Sequence, residues 1–581
     1  MPCPQDRSAA AIEEIYVDRL QEKSGISDSL PPSPKEFSES PCPCEEAKKK
    51  KLPIPWQVVM VFLTCMCTFG NHWSNGLIVA LKTTIETDVH INNSQFATLV
   101  AVTNLMNTIL CIAIGFVIDR FGGPVLSVWL AGFHLVGSLV QAGSATNGED
   151  SYAMLIAGKV IAAIGDGSLD NAQHRIFTTY FAPGHGYAFS IGIIWAMANL
   201  AQFVGQATAN IIATNLGSYA WPLWISAVVS LISMICACGV WIIDKYLRKH
   251  YIVLDHSGKA QAEAEGRRKR TTFQLSVVRR LPLTFWLVVV FAVFENAGVQ
   301  SFVSISTQFT QQRLQKGAVI GGWVSSMYLL LPVGLTPLLG LYIDRYGQRM
   351  TWLFVSGVIY LVSMLVLRLS TTVPPFIFAY ILYALAQTVT PAPQVEIVRN
   401  IIPDPSWYAT AFAVKKSVVQ GSIVIITTAA GKIQDDSANH ESLAGAVTLW
   451  AVYGGVSVAI SGFLLISCYT DWGMRYLPAA RLSQVRPKNH CDETNRLWEM
   501  LAASPRGGVA HALSEHGADA ELTRAEKARV LKGPEPTKVS DWGRQAAMWF
   551  GIIVVVIGWI VFGLGVMWGV QGSVIAGSVG W

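Results

Sequence analysis

The chain has 581 residues, 52% of them hydrophobic and only 14% charged, with a mean hydropathy of +0.40. This balance excludes an ordinary water-soluble enzyme, a disordered chain and a disulfide scaffold. The net charge of +5 comes from 43 basic and 38 acidic residues gathered in short stretches rather than along one face, so nucleic acid is not an expected partner. Of the ten cysteines, Cys65, Cys67, Cys111, Cys236, Cys238 and Cys468 lie in apolar runs and none forms a CxxC pair. No metal site, disulfide framework or cofactor is expected.

Residues 1–52 are polar, rich in Pro and Ser, and end in Lys48 to Lys51 without the apolar core of a signal peptide; a disordered cytosolic tail is expected. Twelve apolar segments follow, at about 56–80, 95–118, 125–143, 151–174, 186–213, 220–244, 283–306, 319–343, 351–369, 375–398, 408–431 and 445–469. Each approaches the ~20 residues that cross ~30 Å of hydrocarbon as a helix. A basic linker over 247–281, with Arg267, Arg268, Lys269 and Arg270 at its centre, divides them into six-helix bundles over 53–246 and 282–470. A polar cytosolic tail over 471–545 precedes a thirteenth apolar segment, 546–570, with Arg544 before it and no charge after it. Its Gly565 and Gly569 have the spacing that lets helices approach closely.

Lys and Arg near membrane ends favour the cytosolic side. Lys48 to Lys51, Arg120, Arg175, the linker, Arg345, Arg349 and Arg399 share one face, which is therefore expected to be cytosolic, with the amino terminus inside and the carboxy terminus outside. The opposite face carries Glu149, Asp150, Asp435, Asp436 and Glu441, the sequon Asn92-Asn93-Ser94, and the exceptions Lys82, Arg313, Lys316 and Lys432.

One signal occurs twice. Gly115-Phe116-Val117-Ile118-Asp119-Arg120-Phe121-Gly122 follows the second segment, and Gly340-Leu341-Tyr342-Ile343-Asp344-Arg345-Tyr346-Gly347 follows the eighth, with the aspartates 225 residues apart. At an offset of 221, Gln173 matches Gln394 and Tyr187 matches Tyr408. A duplicated six-helix unit accounts for both. The repeated GxxxDRxG resembles the signature loop of the major facilitator superfamily, over residues 55 to 470. The resemblance implies an all-α polytopic membrane protein, two six-helix bundles related by a pseudo-two-fold axis, here with a thirteenth helix. It also implies transport by alternating access, gated by Gly115, Asp119, Arg120, Gly122, Gly340, Asp344, Arg345 and Gly347.

Within that superfamily, the branch of the animal lysosomal dipeptide transporter is the closer likeness. It is carried by Phe69-Gly70-Asn71-His72-Trp73-Ser74, Asn93-Ser94-Gln95-Phe96, Gly167-Ser168-Leu169 with Ala172-Gln173, Leu281 to Leu287, and Pro337-Leu338-Leu339-Gly340 leading into Ile343-Asp344. That branch implies movement of small peptides across a lysosomal or vacuolar membrane, with an accessory membrane glycoprotein as partner. It also implies an acid on helix 4 and an arginine on helix 5 in contact with substrate. Here the helix 4 position is Gly167, beside Asp166, and helix 5 has Asn199 and no arginine.

Ionisable residues inside spanning helices cost roughly 2.5 to 3.5 kcal/mol at the helix centre unless paired or wet, so they mark candidate sites. Glu295, with Asn296 and Gln300, lies near the middle of the seventh segment. Asp166 and Asp170 share one face of the fourth, where Asp166 is the candidate and Asp170 reads as a solvated end. Of Lys415 and Lys416 in the eleventh, one is expected to reach for the interface and the other to face a central substrate. His72, Asn75, Asn199, Gln202, Gln206, Tyr328 and Gln387 complete the candidate lining. No GxSxG, HExxH or nucleotide-binding loop occurs, so neither an enzyme nor ATP-driven transport is expected. The solute best matched to acids and lysines together is a small peptide or amino acid. Sugars, organic anions and drugs stay open, as does a non-transporting sensor or scaffold; so do facilitated or proton-coupled movement and a plasma-membrane location.

Overall fold

The computed structural model describes residues 50–146, 150–180, 187–252, 275–403, 407–436, 443–503, 509, 524–533 and 538–575. The expected tail before residue 50 and the linker over 253–274 lie outside them. Nearly all described residues are helical, as lipid requires of a backbone that must satisfy its own hydrogen bonds.

Twelve helices among the described residues are long and apolar enough to cross a membrane. Eleven coincide with expected spans: Ile54–Ala80 (first), Asn93–Phe121 (second), Gly123–Gly143 (third), Tyr152–Tyr180 (fourth), Ala220–His250 (sixth), Leu283–Leu314 (seventh), Ala318–Tyr346 (eighth), Arg349–Leu369 (ninth), Val373–Ile401 (tenth), Tyr408–Asp435 (eleventh) and Ala444–Ser467 (twelfth). The twelfth of these helices is the one at the carboxy terminus, Lys538–Ile575, the thirteenth span. The expected fifth span is the 30-residue helix Tyr187–Leu216, long enough to cross but carrying Asn199, Gln202, Gln206 and Asn210.

Three spans are interrupted. The first breaks at Thr68 and the eighth passes through a 3-10 turn at Met327–Leu329. The tenth breaks at Thr390, because Pro391 has no N–H to give and its ring crowds the preceding turn.

The repeat is visible in the geometry. Gly122 and Gly347, at corresponding turns, have φ of +91° and +70°, where a side chain would be strained. The paired glutamines do corresponding work: Gln173 Nε2 donates to Thr64 O of the first span (3.3 Å) and Gln394 Nε2 donates to Glu295 Oε2 of the seventh (2.9 Å). The halves meet along two seams, second span on eleventh and fifth on eighth. Small residues permit the approach: a Cβ on Gly431 would lie 2.7 Å from Ala97 Cβ, and one on Gly192 would lie 2.6 Å from Pro337 Cα. The end bearing Gly122 and Gly347 is called the loop end here, and the opposite end the far end.

Two features exceed the sequence expectation. Residues of the polar tail form a helical cap on the loop end of the second half, comprising Asp471–Tyr476, Pro478–Gln484, His490–Ala502 and Arg524–Lys532. Its own apolar core contains Met474, Leu482, Leu497, Trp498, Leu501, Val509 and Leu531. The thirteenth span is longer than its apolar core and packs against the second, seventh and eleventh spans.

Candidate functional site

The fourth, first and eleventh spans bring three ionisable side chains together between the halves. Lys416 Nζ lies 3.2 Å from Asp170 Oδ2 and donates to Gly167 O at 2.5 Å, while His72 Nε2 lies 3.6 Å from Asp170 Oδ1. Where Gly167 has no side chain, the amide of Asn107 packs against its backbone. A Cβ there would fall 2.2 Å from Asn107 Nδ2, so an acid at 167 requires Asn107 to move. Lys416 and Asp170 keep about a quarter of their side-chain surface exposed, at 24% and 28%. Asp170 is therefore paired with a lysine of the other half, rather than simply solvated as expected of it.

Asp166, on the same face, has different partners. Its Oδ2 accepts from Asn75 Nδ2 (3.3 Å), Asn75 Oδ1 accepts from Lys159 Nζ (2.9 Å), and Asn75 Nδ2 also reaches Asn71 Oδ1 (3.3 Å). Lys159 is buried within the first half. The sequence reading missed it, although a lysine in the middle of an apolar span was the available signal.

Glu295 is fully buried within the second half. Its carboxylate accepts from the Ser356 hydroxyl, from Thr390 Oγ1 (2.6 Å) and from Gln394 Nε2 (2.9 Å). A relay leads away from it: Asn296 Nδ2 donates to Gln394 Oε1 (3.1 Å) and Gln300 Nε2 to Asn296 Oδ1 (2.6 Å). Lys415 is buried within electrostatic reach of Glu295. Neither lysine of the pair reaches for the interface, contrary to the expectation for one of them, because each has an acid within the bundle.

The remaining candidates are dispersed. Asn199 Nδ2 is bound to Trp195 O of its own helix (2.8 Å), and Gln202 packs on Gly76 of the first span. Tyr328 sits edge-on to Tyr383 at 5.0 Å, and Gln387 Nε2 donates to the Tyr383 hydroxyl (3.1 Å). Gln206 Nε2 crosses the fifth–eighth seam to Ser325 Oγ (2.9 Å) and Thr307 Oγ1 (3.2 Å).

The far end is fastened by residues the sequence reading used only for topology or likeness, Lys82 as an exception to the charge rule and Asp435 as an acid of the far face. Lys82 Nζ donates to Gln308 Oε1 (2.7 Å) and Gln434 Oε1 (3.2 Å), with Glu86 Oε1 at 3.6 Å. Burial pushes the Lys82 amine down and the Glu86 carboxyl up, each partly restored by the other. Asp435 of the eleventh span accepts from Asn93 N (3.2 Å), Ser94 N (3.0 Å) and the Ser94 hydroxyl, so a carboxylate from one half caps the start of a helix in the other.

At the loop end, Cys65, Phe177, Ile194 and Val395 from both halves share an apolar cluster. The side chains of Asp119 and Arg120 lie outside the described residues. In the second copy, Arg345 lies over Tyr346 at 5.7 Å, and Arg349 links the cap to the tenth span, donating through Nη1 to Ser483 O (3.2 Å) and through Nη2 to Glu396 Oε2 (3.4 Å). In the cap, burial and then the charge of Arg349 lower Lys532 to about 8; burial, Lys532 and Arg349 lower His490.

A family model described as Major Facilitator Superfamily matches residues 62–427. Curated relatives named lysosomal dipeptide transporter MFSD1 are 24% identical in Danio rerio over 389 residues, in Homo sapiens over 390 and in Mus musculus over 396. Each alignment covers 65% of this chain and 80% of the relative. Signature loops at both repeats, two helical halves meeting along paired seams, and a family match over most of the chain lead to one assignment: this is a multi-pass membrane transporter that belongs to the Major Facilitator Superfamily.

Proposed function

We propose that the chain is a secondary carrier of small peptides, dipeptides first, across a lysosomal or vacuolar membrane by alternating access. The observation that carries this reading is the meeting of Asp170 and His72 from one half with Lys416 from the other. An acid and a lysine on opposite walls match the two ends of a zwitterion, and Lys416 offers the cation that the fifth span lacks. The relatives' printed name supports the peptide and the lysosome, and the absence of a nucleotide-binding loop supports a gradient rather than ATP as the driving force.

The same resemblance extends to an accessory membrane glycoprotein as partner. The clustering of Lys and Arg at the loop end supports a cytosolic amino terminus and a lumenal carboxy terminus. The test is a thermal-shift screen of the purified protein against dipeptides, free amino acids, sugars and organic anions, followed by uptake of any hit into proteoliposomes. A dipeptide that raises the melting temperature and is taken up supports the reading. Uptake of another class alone overturns the substrate, and binding without uptake favours a sensor.

A further inference from the structure

The thirteenth helix takes no part in the central cluster, yet it is built across a seam between the halves. Gly551, Val554, Gly558, Gly565 and Gly569 are buried and fall on one helical face, over roughly 27 Å at ~1.5 Å per residue. Near the loop end, among the described residues, this face lies against the second half. Gly551 lies against Val418 and Trp286, and Phe550 stacks on Phe294 at 6.2 Å. Midway, a Cβ on Gly558 would fall 2.9 Å from Gly421 O of the eleventh span.

Beyond that crossing the contacts reach the other half as well. Trp559 Nε1 donates to Thr108 Oγ1 of the second span (3.0 Å). Gly565 sits between Thr428 of the eleventh span and Thr98 of the second, Gly569 lies over Gln95, and Asn92 Nδ2 donates to Gly569 O (3.1 Å). On the opposite side Lys432 lies over the Trp568 ring at 5.9 Å. Asn92 is thereby engaged twice, since its Oδ1 also accepts from Gln95 N (2.8 Å).

We infer that the thirteenth helix is a clasp: anchored on the second half, it holds the far end of the second span and biases the carrier towards the arrangement closed at that end. Opening the far end draws residues 92–108 away from 421–435, and a helix fixed to both must release one of them. Opening the loop end breaks none of these bonds, because all of them lie from residue 559 onwards, towards the far end. The inference rests on the alternating-access reading but not on the identity of the solute.

The experiment uses the full-length protein carrying Ser304→Cys. Ser304 is buried in the small pocket behind the far-end gate, lined also by Lys82, Phe96 and Gly431. The native Cys65, buried in the apolar cluster at the loop end, is the opposite probe. Alkylation by a soluble maleimide is followed for each cysteine by peptide mass spectrometry. Asn92→Asp with Trp559→Phe removes both donors and keeps the acceptor that caps the second span; Gly569→Leu wedges the same contact in a separate protein. Both are checked by melting temperature. The clasp predicts at least threefold faster labelling at position 304 and no faster labelling at Cys65.

Unchanged labelling at 304, or equal acceleration at both probes, overturns it. Failure of alternating access looks different: in the parent protein no solute then moves the two probes in opposite directions. Opposed responses in the parent with no change in the variants count against the clasp alone.

Discussion

Lys416 Nζ of the eleventh span and Asp170 Oδ2 of the fourth, one from each half, lie 3.2 Å apart. A partly exposed bridge of this kind holds two surfaces together by only about 1 kcal/mol, little enough for a solute to displace. Its partners then need replacement charges, an ammonium for Asp170 and a carboxylate for Lys416. Asp170→Asn and Lys416→Met are each expected to lower peptide uptake at least tenfold, about 1.4 kcal/mol in binding. The double variant Asp170→Lys with Lys416→Asp restores the bridge with reversed polarity. Uptake by that variant at the parent rate would show the pair to be a strut and not a reader of substrate charge.

Glu295 is placed differently. Three donors from the ninth and tenth spans occupy its carboxylate within one half. Glu295→Gln replaces an acceptor by a group that must itself find an acceptor among those donors, at a cost of about 1–3 kcal/mol. The melting temperature is expected to fall by several degrees while the dissociation constant for peptide changes less than threefold. A large loss of affinity at unchanged stability would return Glu295 to the binding site.

The same residues show what a sequence can carry. Span number, the duplicated loop and the Gln173/Gln394 match were legible because hydropathy and local turns are written in consecutive residues. The choice between Asp166 and Asp170 was not, because both lie on one face of one helix and their partners, Asn75 and Lys416, come from helices remote in sequence. Lys82 read as a topological exception and Asp435 as an ordinary acid of the far face for the same reason: a contact supplied by the other half leaves no local pattern. The folded tail was hidden by its polarity, since its core is few residues spread over 474–531.

The third span offers an internally controlled stability test. A Cβ on Gly137 would lie 2.3 Å from Ala162 N of the fourth span, whereas one on Gly132 meets nothing within 4 Å. Gly137→Ala is expected to destabilise by about 1–3 kcal/mol, the usual cost of overpacking. Gly132→Ala is expected to be neutral or to stabilise by roughly 0.5–1 kcal/mol, through loss of glycine's freedom in the unfolded chain. Equal melting temperatures for the two variants would mean that these helices do not pack at the observed separation.

At the far end, Asp435→Asn keeps the volume and one acceptor oxygen but removes the charge that caps Asn93 and Ser94. A carboxylate at a helix start contributes about 0.3–1 kcal/mol through the dipole, which here acts between the halves. The closed far end should weaken, and labelling of Ser304→Cys should quicken about two- to fivefold. Slower labelling would reverse the assignment of this contact as a gate.

The cap gives a pH dependence of definite sign. Lys532 titrates at about 8 in the folded protein against an ordinary 10.5, because burial and Arg349 disfavour its charge. Between these values the unfolded chain binds more protons, so stability rises with pH across that window; below about 8 both states are protonated and the full penalty stands. His490, also lowered, acts in the same direction as pH falls through 6.5. Lys532→Met keeps the aliphatic packing and removes the charge. It is expected to melt higher than the parent at pH 7, and the gap should close as pH rises from 8 to 10. Parallel melting curves for the two proteins across that range would show that Lys532 is solvated in the folded state and that the cap does not seal it against Arg349.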